Sequence, residues 1–558
     1  MYRMKKLFGI FFILILFLAG AHSPSFSYPS NAMVRVGIMD SAYKTVDRTE
    51  VDLYGTNDLI VIDSKTKEEV FRVPAGTFLN IKRENGEFSL SFKDSEADEI
   101  ALYLSKNDFN IICHAGVIGI KDLIRGGKPA LYRGEFRILG VQNSSDKFNI
   151  INCLDVEYYL KGVVPCEMPV HFGLEALKAQ AVAARVYSLT PRTKLSRSYD
   201  VVDSVASQVY HGFNRESDIA NKAIDETHGL VALYNDNMIV AVFCSTAGGY
   251  TESYAETFSE TDSLQFPSKE RPYLIAKPDL PEFKPLDKEE EAYKFYSTRP
   301  LSYDIHSPLY RWTRVWTKQE LQNVLKNNLV VQSKTGFVEP KLHKADDFGE
   351  LQEIRVTQRG ESGKIVFMEI ETDKKIYTVS KELIIRRLFT KDGKALPSAN
   401  VVFKYEKDEN GKWDKITAYG GGFGHGCGMS QFGAMYMAKD CKMSFETILK
   451  HYYNGICIGT KPFELKHNYV PQAFYAPKDK ATLIIPDRKD MKVLQLKVND
   501  TVVNLDLSKY PSRAEVDISK YINPKELNVV TFTPPIQNKL DKRRTEWIKP
   551  VKMYIKLL

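Results

Sequence analysis

The chain has 558 residues, 43% of them hydrophobic and 26% charged, which is the composition of a globular protein large enough for two or more domains. Its formal net charge of +7 is a mild excess for this length and argues against nucleic-acid binding. After the N-terminal segment no apolar run reaches the roughly 18 residues of a membrane-spanning helix. The remainder is therefore predicted to be soluble.

Residues 1–23 have the pattern of an export signal. Arg3, Lys5 and Lys6 precede an apolar run over 7–18, and small residues suited to cleavage follow at 19–21. Cleavage is the favoured outcome, and an uncleaved membrane anchor is the alternative. We expect an exported protein at the cell wall or the outer face of the cytoplasmic membrane, in contact with the membrane only through this segment if it is uncleaved.

From 34 to 152, short runs of alternating apolar residues are separated by Asn-Gly and Gly-Gly turns, which predicts a β-rich N-terminal part. The region 153–262 mixes helical and strand patterns and is interpreted as the first half of a functional core. Its Ala-rich stretch 174–188 has helical spacing and predicts a closely packed helix. The stretch 238–245 predicts a buried strand.

The region 263–415 is longer and more polar, and predicts a lobe inserted between the two halves of the core. The second half, 416–465, begins with a glycine-rich loop and continues in helices. From 471 to 558 alternating strands predict a C-terminal β domain. The predicted fold class is α+β: a mixed helix–strand core with β-rich N-terminal and inserted regions and a C-terminal β-sandwich-like domain.

Seven cysteines are scattered without a Cys-x-x-Cys pair, and an odd number leaves at least one thiol unpaired within the chain. The histidines and cysteines between 425 and 457 are of zinc-ligand type. Their irregular spacing argues against a metal centre. We expect no metal and no other cofactor.

Glu167 lies between Pro165 and Pro169, directly before the Ala-rich helix. Proline fixes φ and disfavours helix in the residue before it, so Glu167 is expected on a stiff, extended connector. A rigid carboxylate beside a helix that carries Gln180 and Arg185 predicts an acid/base site. The alternative is a structural carboxylate that caps the helix or pairs with Arg185.

The glycine-rich loop 420–428 contains His425 and leads through Ser430 and Gln431 into a predicted helix. So many glycines exclude a helix or a packed strand and let the backbone approach a ligand closely. The N–H groups at the helix start favour a polar substrate group. A phosphate-binding loop is the rival interpretation, but its Lys-Ser/Thr ending is missing.

Together these motifs resemble the stage II sporulation protein D family (the SpoIID/LytB domain). The matching segments are, in order, Glu167-Met-Pro169 with the Ala-rich helix, Ser207-Gln208-Val-Tyr210-His-Gly212, Ser245-Thr-Ala-Gly248-Gly249-Tyr-Thr251, the His425 loop, and His451-Tyr-Tyr-Asn-Gly455. Five ordered matches are far more specific than any one of them. The similarity begins near Val34 and fades after about Lys461. The zinc-binding His/Cys cluster of some relatives has no counterpart in 188–202.

The resemblance implies a lytic transglycosylase that cleaves the MurNAc–GlcNAc linkages of peptidoglycan. Glu167 would protonate the bridging oxygen and then take the proton of the muramic acid 6-hydroxyl as that oxygen attacks C1, which gives a 1,6-anhydro product. Hydrolysis usually needs two carboxylates, whereas this reaction needs one. To act as an acid, Glu167 must have its pKa raised by burial.

The resemblance also implies the partners: glycan strands stripped of stem peptides, an N-acetylmuramoyl-L-alanine amidase that strips them, and a role in wall remodelling or sporulation engulfment. The alternative function is a non-catalytic, glycan-binding amidase enhancer of the LytB type. The C-terminal β domain is either glycan-binding or merely structural.

The candidate substrate-binding residues are those of the motifs and one nearby tyrosine: Gln180, Arg185, Gln208, Tyr210, Ser245, Thr246, Gly248, Gly249, Tyr273, His425, Gly426, Ser430 and Gln431. Arg185 would hold the carboxylate or a glycan oxygen, with a buried salt bridge as the alternative. Gln180 would bond a sugar or the backbone, and Tyr273 would stack on a sugar or simply pack. A cysteine peptidase built on Cys166 is disfavoured, because neighbours on an extended segment point to opposite faces.

Overall fold

The computed structural model describes residues 32–558 apart from 94–99, 191–195, 197, 261–262, 280–283, 408, 410–412, 467 and 534–549. The predicted export signal, 1–23, lies outside the described residues. Within them, no helix is both long enough and apolar enough to cross a membrane. The predicted α+β class is confirmed, since this part of the chain contains eight α-helices beside several sheets.

Two antiparallel sheets form the N-terminal part. Their strands are β1 Met33–Gly37, β2 Asp47–Arg48, β3 Glu50–Gly55, β4 Leu59–Asp63, β5 Glu69–Val73, β6 Leu79–Glu84, β7 Glu87–Lys93, β8 Ile100–Ser105, β9 Phe109–Cys113, β10 Ile118–Arg125, β11 Lys128–Tyr132, β12 Glu135–Gly140 and β13 Phe148–Asp155. One sheet has the order β1-β13-β12-β9-β4-β5 and the other β11-β10-β3-β6-β7-β8. Phe88 joins them, with its ring 5.7 Å from both Phe109 and Phe148.

The first half of the core follows β13 directly. Its elements are α1 Val156–Glu167, α2 Leu174–Leu189, β14 Val201–Val202, α3 Asp218–Asp225, β15 Leu230–Tyr234, β16 Asn237–Met238, β17 Phe243–Cys244 and β18 Tyr250–Thr251. The predicted Ala-rich helix is confirmed as α2, whose small side chains let α1, α3, α7 and α8 approach it closely. The continuous strand predicted over 238–245 is wrong, because only its two ends pair with other strands.

The inserted region has a hydrophobic cluster of its own around Trp316, Leu325 and Ile370. Its elements are β19 Lys277–Pro278, α4 Glu289–Tyr296, β20 Trp312–Thr317, α5 Lys318–Gln332, β21 Val338–Glu339, β22 Leu351–Arg359, β23 Ile365–Thr372, β24 Ile376–Ser380, α6 Glu382–Leu388, β25 Val401–Lys407 and β26 Trp413–Gly420. Strands β20, β26 and β25 form one sheet, and β21, β24, β23 and β22 form another.

The second half of the core comprises β27 Met429–Ser430, α7 Gln431–Lys439, α8 Phe445–Tyr452, β28 Cys457–Thr460 and β29 Phe463–Leu465. Strand β27 pairs in parallel with β17, which brings the two halves together across the inserted region. The segments just before and just after the inserted region therefore lie side by side.

The C-terminal strands are β30 Val470–Tyr475, β31 Thr482–Ile485, β32 Val493–Val498, β33 Thr501–Asp506, β34 Ala514–Asp517, β35 Leu527–Phe532 and β36 Val551–Lys556. They form a sheet of order β30-β35-β32-β33 and extend a second sheet, β16-β15-β28-β36-β31-β34, that begins in the core. One hydrophobic cluster runs from Val34 through α2 to Leu557. The C-terminal strands thus share a hydrophobic core with the N-terminal part and with both halves of the core.

Candidate active site at the end of helix α1

Glu167 is the last residue of α1, which corrects the expectation of an extended connector. Asp155 caps the start of this helix by accepting a 2.7 Å hydrogen bond from the N–H of Glu157. Pro165 lies inside the last turn, and Val164 before it stays helical. Met168, which precedes Pro169, is extended with φ −129° and ψ 127°. The helix therefore ends at the second proline, and Glu167 is held by its final turn.

The Glu167 side chain is half-buried. Burial raises its pKa above the ordinary range of a glutamate, and a hydrogen bond from the Val209 N–H to Oε1 at 2.6 Å lowers it in part. The raised pKa favours the protonated carboxyl, which is the form that can donate a proton. A single backbone donor is in place to stabilise the carboxylate that remains.

The segment 208–211 runs beside α1 and supplies that donor. Gln208 is buried and accepts a 3.3 Å hydrogen bond from Tyr159 Oη, and buried Tyr210 donates to Asn152 Oδ1 at 2.9 Å. Both side chains face the core, so the prediction that they contact substrate is wrong for this structure. Gln208 and Tyr210 instead anchor the segment on both sides of Val209, so that the Val209 N–H stays in place against Glu167.

Arg185 is 1% exposed and forms a buried salt bridge with Glu157. Its Nε and Nη2 donate to the two carboxylate oxygens at 2.8 and 2.6 Å, and its Nη1 donates to the Leu230 carbonyl at 3.0 Å. Burial by itself would raise the pKa of Glu157, but Arg185 brings it below the ordinary value. The expectation that Arg185 reaches Glu167 is therefore wrong, and the buried salt bridge is the observed alternative.

Gln431, the first residue of α7, ties the two halves of the site together. Its Nε2 donates to the backbone carbonyl of Glu167 at 3.0 Å and to Oε1 of Gln180 at 3.3 Å. Gln180 is 0% exposed, so it bonds a side chain of the protein, neither a sugar nor the backbone. Ser430 is also buried and caps α7, accepting from the Gly433 N–H at 3.3 Å. These three side chains position Glu167 and α7 from inside the core.

The Ser245–Gly249 turn lies next to the start of α7, where the Phe432 N–H donates to the Ser245 carbonyl at 3.1 Å. Ser245 is half-buried, whereas Thr246 is fully buried and bonds Ser307 at 2.7 Å. Gly248 and Gly249 have φ of 87° and 98°, and a Cβ at Gly248 would lie 2.7 Å from the carbonyl carbon of Gly421. Ser245 is thus the accessible hydroxyl of this turn, and its neighbours set its position.

The glycine-rich loop packs against the same turn. Phe423 exchanges two backbone hydrogen bonds with Thr246, at 3.1 and 2.9 Å. His425 is half-buried, accepts from the Cys427 N–H at Nδ1 over 3.1 Å and lies 5.2 Å from the Phe258 ring. The buried Lys364 Nζ donates a hydrogen bond to the carbonyl oxygen of His425. The carbonyl oxygen of buried Gly426 accepts a hydrogen bond from the Glu252 N–H. In the described part of the chain no hydrogen bond joins His425 to Glu167.

Two further candidates lie outside this arrangement. The Tyr273 ring lies 5.5 Å from the Tyr234 ring, and its hydroxyl accepts a hydrogen bond from the Val240 N–H at 3.2 Å. Of the two alternatives for Tyr273, stacking on a sugar or packing within the protein, the structure shows packing. Cys166 lies beside Arg215 and His211, and burial raises the pKa of its thiol to about 11. A protonated thiol is a poor nucleophile, which argues further against a cysteine peptidase.

Sequence reasoning missed the groups contributed by the inserted region. Asp304 accepts from the Gly248 N–H at 2.7 Å, and Leu309 accepts from the Gly422 N–H at 2.9 Å. The sequence offers no local signal for these contacts, since the partners lie far apart along the chain. The Val209 N–H was missed because a backbone donor leaves no trace in side-chain chemistry.

Comparison with known proteins adds two family matches. Residues 144–234, which include Glu167 and Val209, match the family described as Stage II sporulation protein, and residues 260–428 match one described as Domain of unknown function (DUF8618). The inserted region thus corresponds closely to the second match.

Three similar proteins come from Bacillus. The Amidase enhancer of Bacillus subtilis (strain 168) is 33% identical over 306 residues, 53% of this chain and 39% of that protein. The Stage II sporulation protein D of the same strain is 30% identical over 318 residues, 54% of this chain and 74% of that protein. The Stage II sporulation protein D of Bacillus amyloliquefaciens is 28% identical, over 60% of this chain and 82% of its own length. The match to this chain thus spans only about two fifths of the amidase enhancer.

Proposed function

Because the chain belongs to the stage II sporulation protein D family, we propose that it is a lytic transglycosylase that cleaves MurNAc–GlcNAc bonds of peptidoglycan, with Glu167 as its acid and base. The observation that carries the proposal is the half-buried Glu167 carboxyl, whose pKa burial raises, at the end of a helix in the matched segment. An acid with these properties is what protonation of a glycosidic oxygen requires.

In the proposed reaction Glu167 gives one proton to the substrate and later takes one proton from it. Protonated Glu167 donates to the bridging oxygen, the bond from C1 to that oxygen breaks, and the resulting carboxylate is stabilised by the Val209 N–H. The 6-hydroxyl oxygen of muramic acid then bonds to C1 while its proton passes to Glu167. The carboxyl is regenerated, and no water is consumed.

The surroundings of Glu167 support a mechanism with one carboxylate. The causes of its raised pKa are burial, which raises it, and the Val209 N–H, which lowers it in part. A hydrolase would place a second carboxylate roughly 5–9.5 Å away, where its charge would act on the first. Internal attack by the 6-hydroxyl needs no such partner, and the proposed mechanism assigns the acid and base steps to Glu167 alone.

The experiment is mass analysis of products from purified peptidoglycan and from amidase-denuded glycan, with the wild type and the Glu167→Gln variant. We expect anhydro-muramic products from the wild type, more from denuded glycan, and none from the variant. Reducing-end products would contradict the proposal, as would an active variant.

A second candidate function rests on the similarity to the Amidase enhancer, which is 33% identical to this chain. In that case the protein binds glycan without cleaving it and raises the rate of a wall amidase. Glycan binding without products, together with faster amidase turnover on addition of the protein, would favour this function.

Export to the wall is part of the same proposal, as is a role in wall remodelling or sporulation engulfment. The segment 1–23 supports it, because its basic residues and apolar run have the order of an export signal. Fractionation of cells that produce the full chain would test it. Recovery in the cytoplasmic fraction would contradict export.

A further inference from the structure

Three aromatic rings meet where α7 contacts the inserted region, and a fourth, Phe432, lies one turn earlier on α7. Phe432 follows Gln431, which bonds the Glu167 carbonyl, and Tyr436 lies one helical turn further along α7. The Tyr436 ring is 5.4 Å from His306 and 5.9 Å from Tyr303. We call Phe432, Tyr436, Tyr303 and His306 the aromatic strip.

The strip is not closed over by the described residues. Phe432, Tyr436 and Tyr303 are half-buried and His306 is exposed. Their rings approach at shallow tilts of 31° for His306 and 40° for Tyr303 against Tyr436. Accessible aromatic rings are typical of ligand sites, in which large apolar faces alternate with a few polar groups.

The part of the strip from the inserted region is held firmly in place. Asp304, between Tyr303 and His306, accepts from the Gly248 N–H at 2.7 Å, and Ser307 bonds Thr246 at 2.7 Å. The Ser430 hydroxyl at the start of α7 lies 3.4 Å from Asp304 Oδ2. The inserted region is therefore joined to both the Ser245 turn and α7, and its two rings are positioned before any ligand arrives.

The chemistry of the strip suits a sugar chain. The Tyr303 and His306 rings both pack on the Tyr436 ring, at 5.9 and 5.4 Å, so that these three rings offer one joined aromatic surface. Sugars present C–H faces that rest on rings and hydroxyls that need hydrogen bonds. The tyrosine hydroxyls, the His306 imidazole and the accessible Ser245 hydroxyl supply both donors and acceptors.

We propose that the aromatic strip binds sugars of the glycan strand near the scissile bond, so that the inserted region forms part of the substrate site. This inference rests on the proposed function and adds a task for the region matched as a domain of unknown function. It assigns positioning of the substrate to Tyr436, Tyr303 and His306, and the chemistry stays with Glu167.

The test measures the affinity of the Glu167→Gln chain for soluble, amidase-denuded glycan strands by calorimetry. We expect Tyr436→Ala, Tyr303→Ala and His306→Ala to weaken binding, by about tenfold for each tyrosine. Tyr436→Phe, which keeps the ring, should retain most of the affinity. The matched control is Tyr469→Ala, because Tyr469 is 66% exposed and lies just before β30 among the C-terminal strands.

Thermal unfolding of each variant checks folding, and His306→Ala carries the test if a tyrosine variant unfolds, since His306 is exposed. Unchanged glycan affinity in the folded alanine variants would contradict sugar binding by the aromatic strip and would leave the proposed function unaffected. A Glu167→Gln chain that binds no glycan, with a wild type that releases no anhydro products, would overturn the proposed function and the strip with it.

Discussion

The backbone N–H of Val209 lies 2.6 Å from Oε1 of Glu167. Two buried side chains, Gln208 and Tyr210, fix the segment that carries this donor. Burial favours the protonated form of Glu167 and the hydrogen bond favours the carboxylate, and burial has the larger effect. A group that must first give and then accept a proton needs an environment in which both forms are accessible.

The first prediction concerns pH. We expect kcat/KM to fall as the pH rises through the raised pKa of Glu167, because the reaction begins with the protonated acid. The folded protein keeps this proton where the unfolded chain has lost it, so the free energy of unfolding should also decline from the ordinary glutamate pKa of about 4.3 toward the raised value. Urea unfolding of the wild type and Glu167→Gln across this range should show the decline weakened in the variant. Parallel curves would contradict the raised pKa.

The second prediction concerns the Arg185–Glu157 pair. Arg185→Leu leaves the buried Glu157 carboxylate unpaired, so we expect a loss of about 3–5 kcal/mol in the free energy of unfolding. The double variant Glu157→Leu/Arg185→Leu should recover much of this loss, because no charge then remains buried. Thermal unfolding measures both. A stable single variant with lost glycan affinity would show instead that Arg185 binds substrate.

The third prediction concerns Gln431. Gln431→Leu removes the hydrogen bonds to the Glu167 carbonyl and to Gln180, so we expect turnover to fall by roughly tenfold through misplacement of the acid, with a loss of about 1–2 kcal/mol in stability. The matched control is Gln319→Leu on the exposed face of α5. Turnover equal to the wild type in Gln431→Leu would contradict the positioning role.

The fourth prediction separates backbone strain from crowding at a glycine. Gly248 and Gly393 both have positive φ, 87° and 72°, but of the two only Gly248 has atoms within 4 Å of the place that an alanine Cβ would occupy. Gly393→Ala should cost about 1 kcal/mol, and Gly248→Ala should cost more and reduce turnover by displacing the Ser245 turn. Equal losses of stability in the two variants would show that the close approach of Gly421 is unimportant.

The two prolines show how far local rules reach. The rule that disfavours helix before proline holds at Met168 and fails at Val164, where the first proline falls in the last turn of α1. The Ala-rich helix could be predicted from the sequence, because alanine favours helix and its small side chain allows close packing. The continuous strand predicted over 238–245 is not observed, because only residues near its two ends pair with other strands. The local sequence does not reveal which residues find a pairing partner.

The motifs predicted correctly which segments come together, but they did not predict the role of each side chain. Glu167 and Gln431 come into contact, and so do Ser245 and the start of α7. Gln180 and Arg185 are in the motifs but face inward, because α2 is buried on nearly all sides and turns its polar residues toward partners in the core. Gln208 and Tyr210, on the segment after β14, also face inward and bond Tyr159 and Asn152. Glu157, which decides the task of Arg185, has no feature in the sequence that marks it.

The most direct test of the account is the product formed in water enriched in ¹⁸O from amidase-denuded glycan. If the 6-hydroxyl oxygen attacks C1 while Glu167 takes its proton, the wild type should release 1,6-anhydro products without ¹⁸O, and Glu167→Gln should release none. A reducing-end product that carries one ¹⁸O atom would show that water attacks C1 and would contradict the mechanism with a single carboxylate.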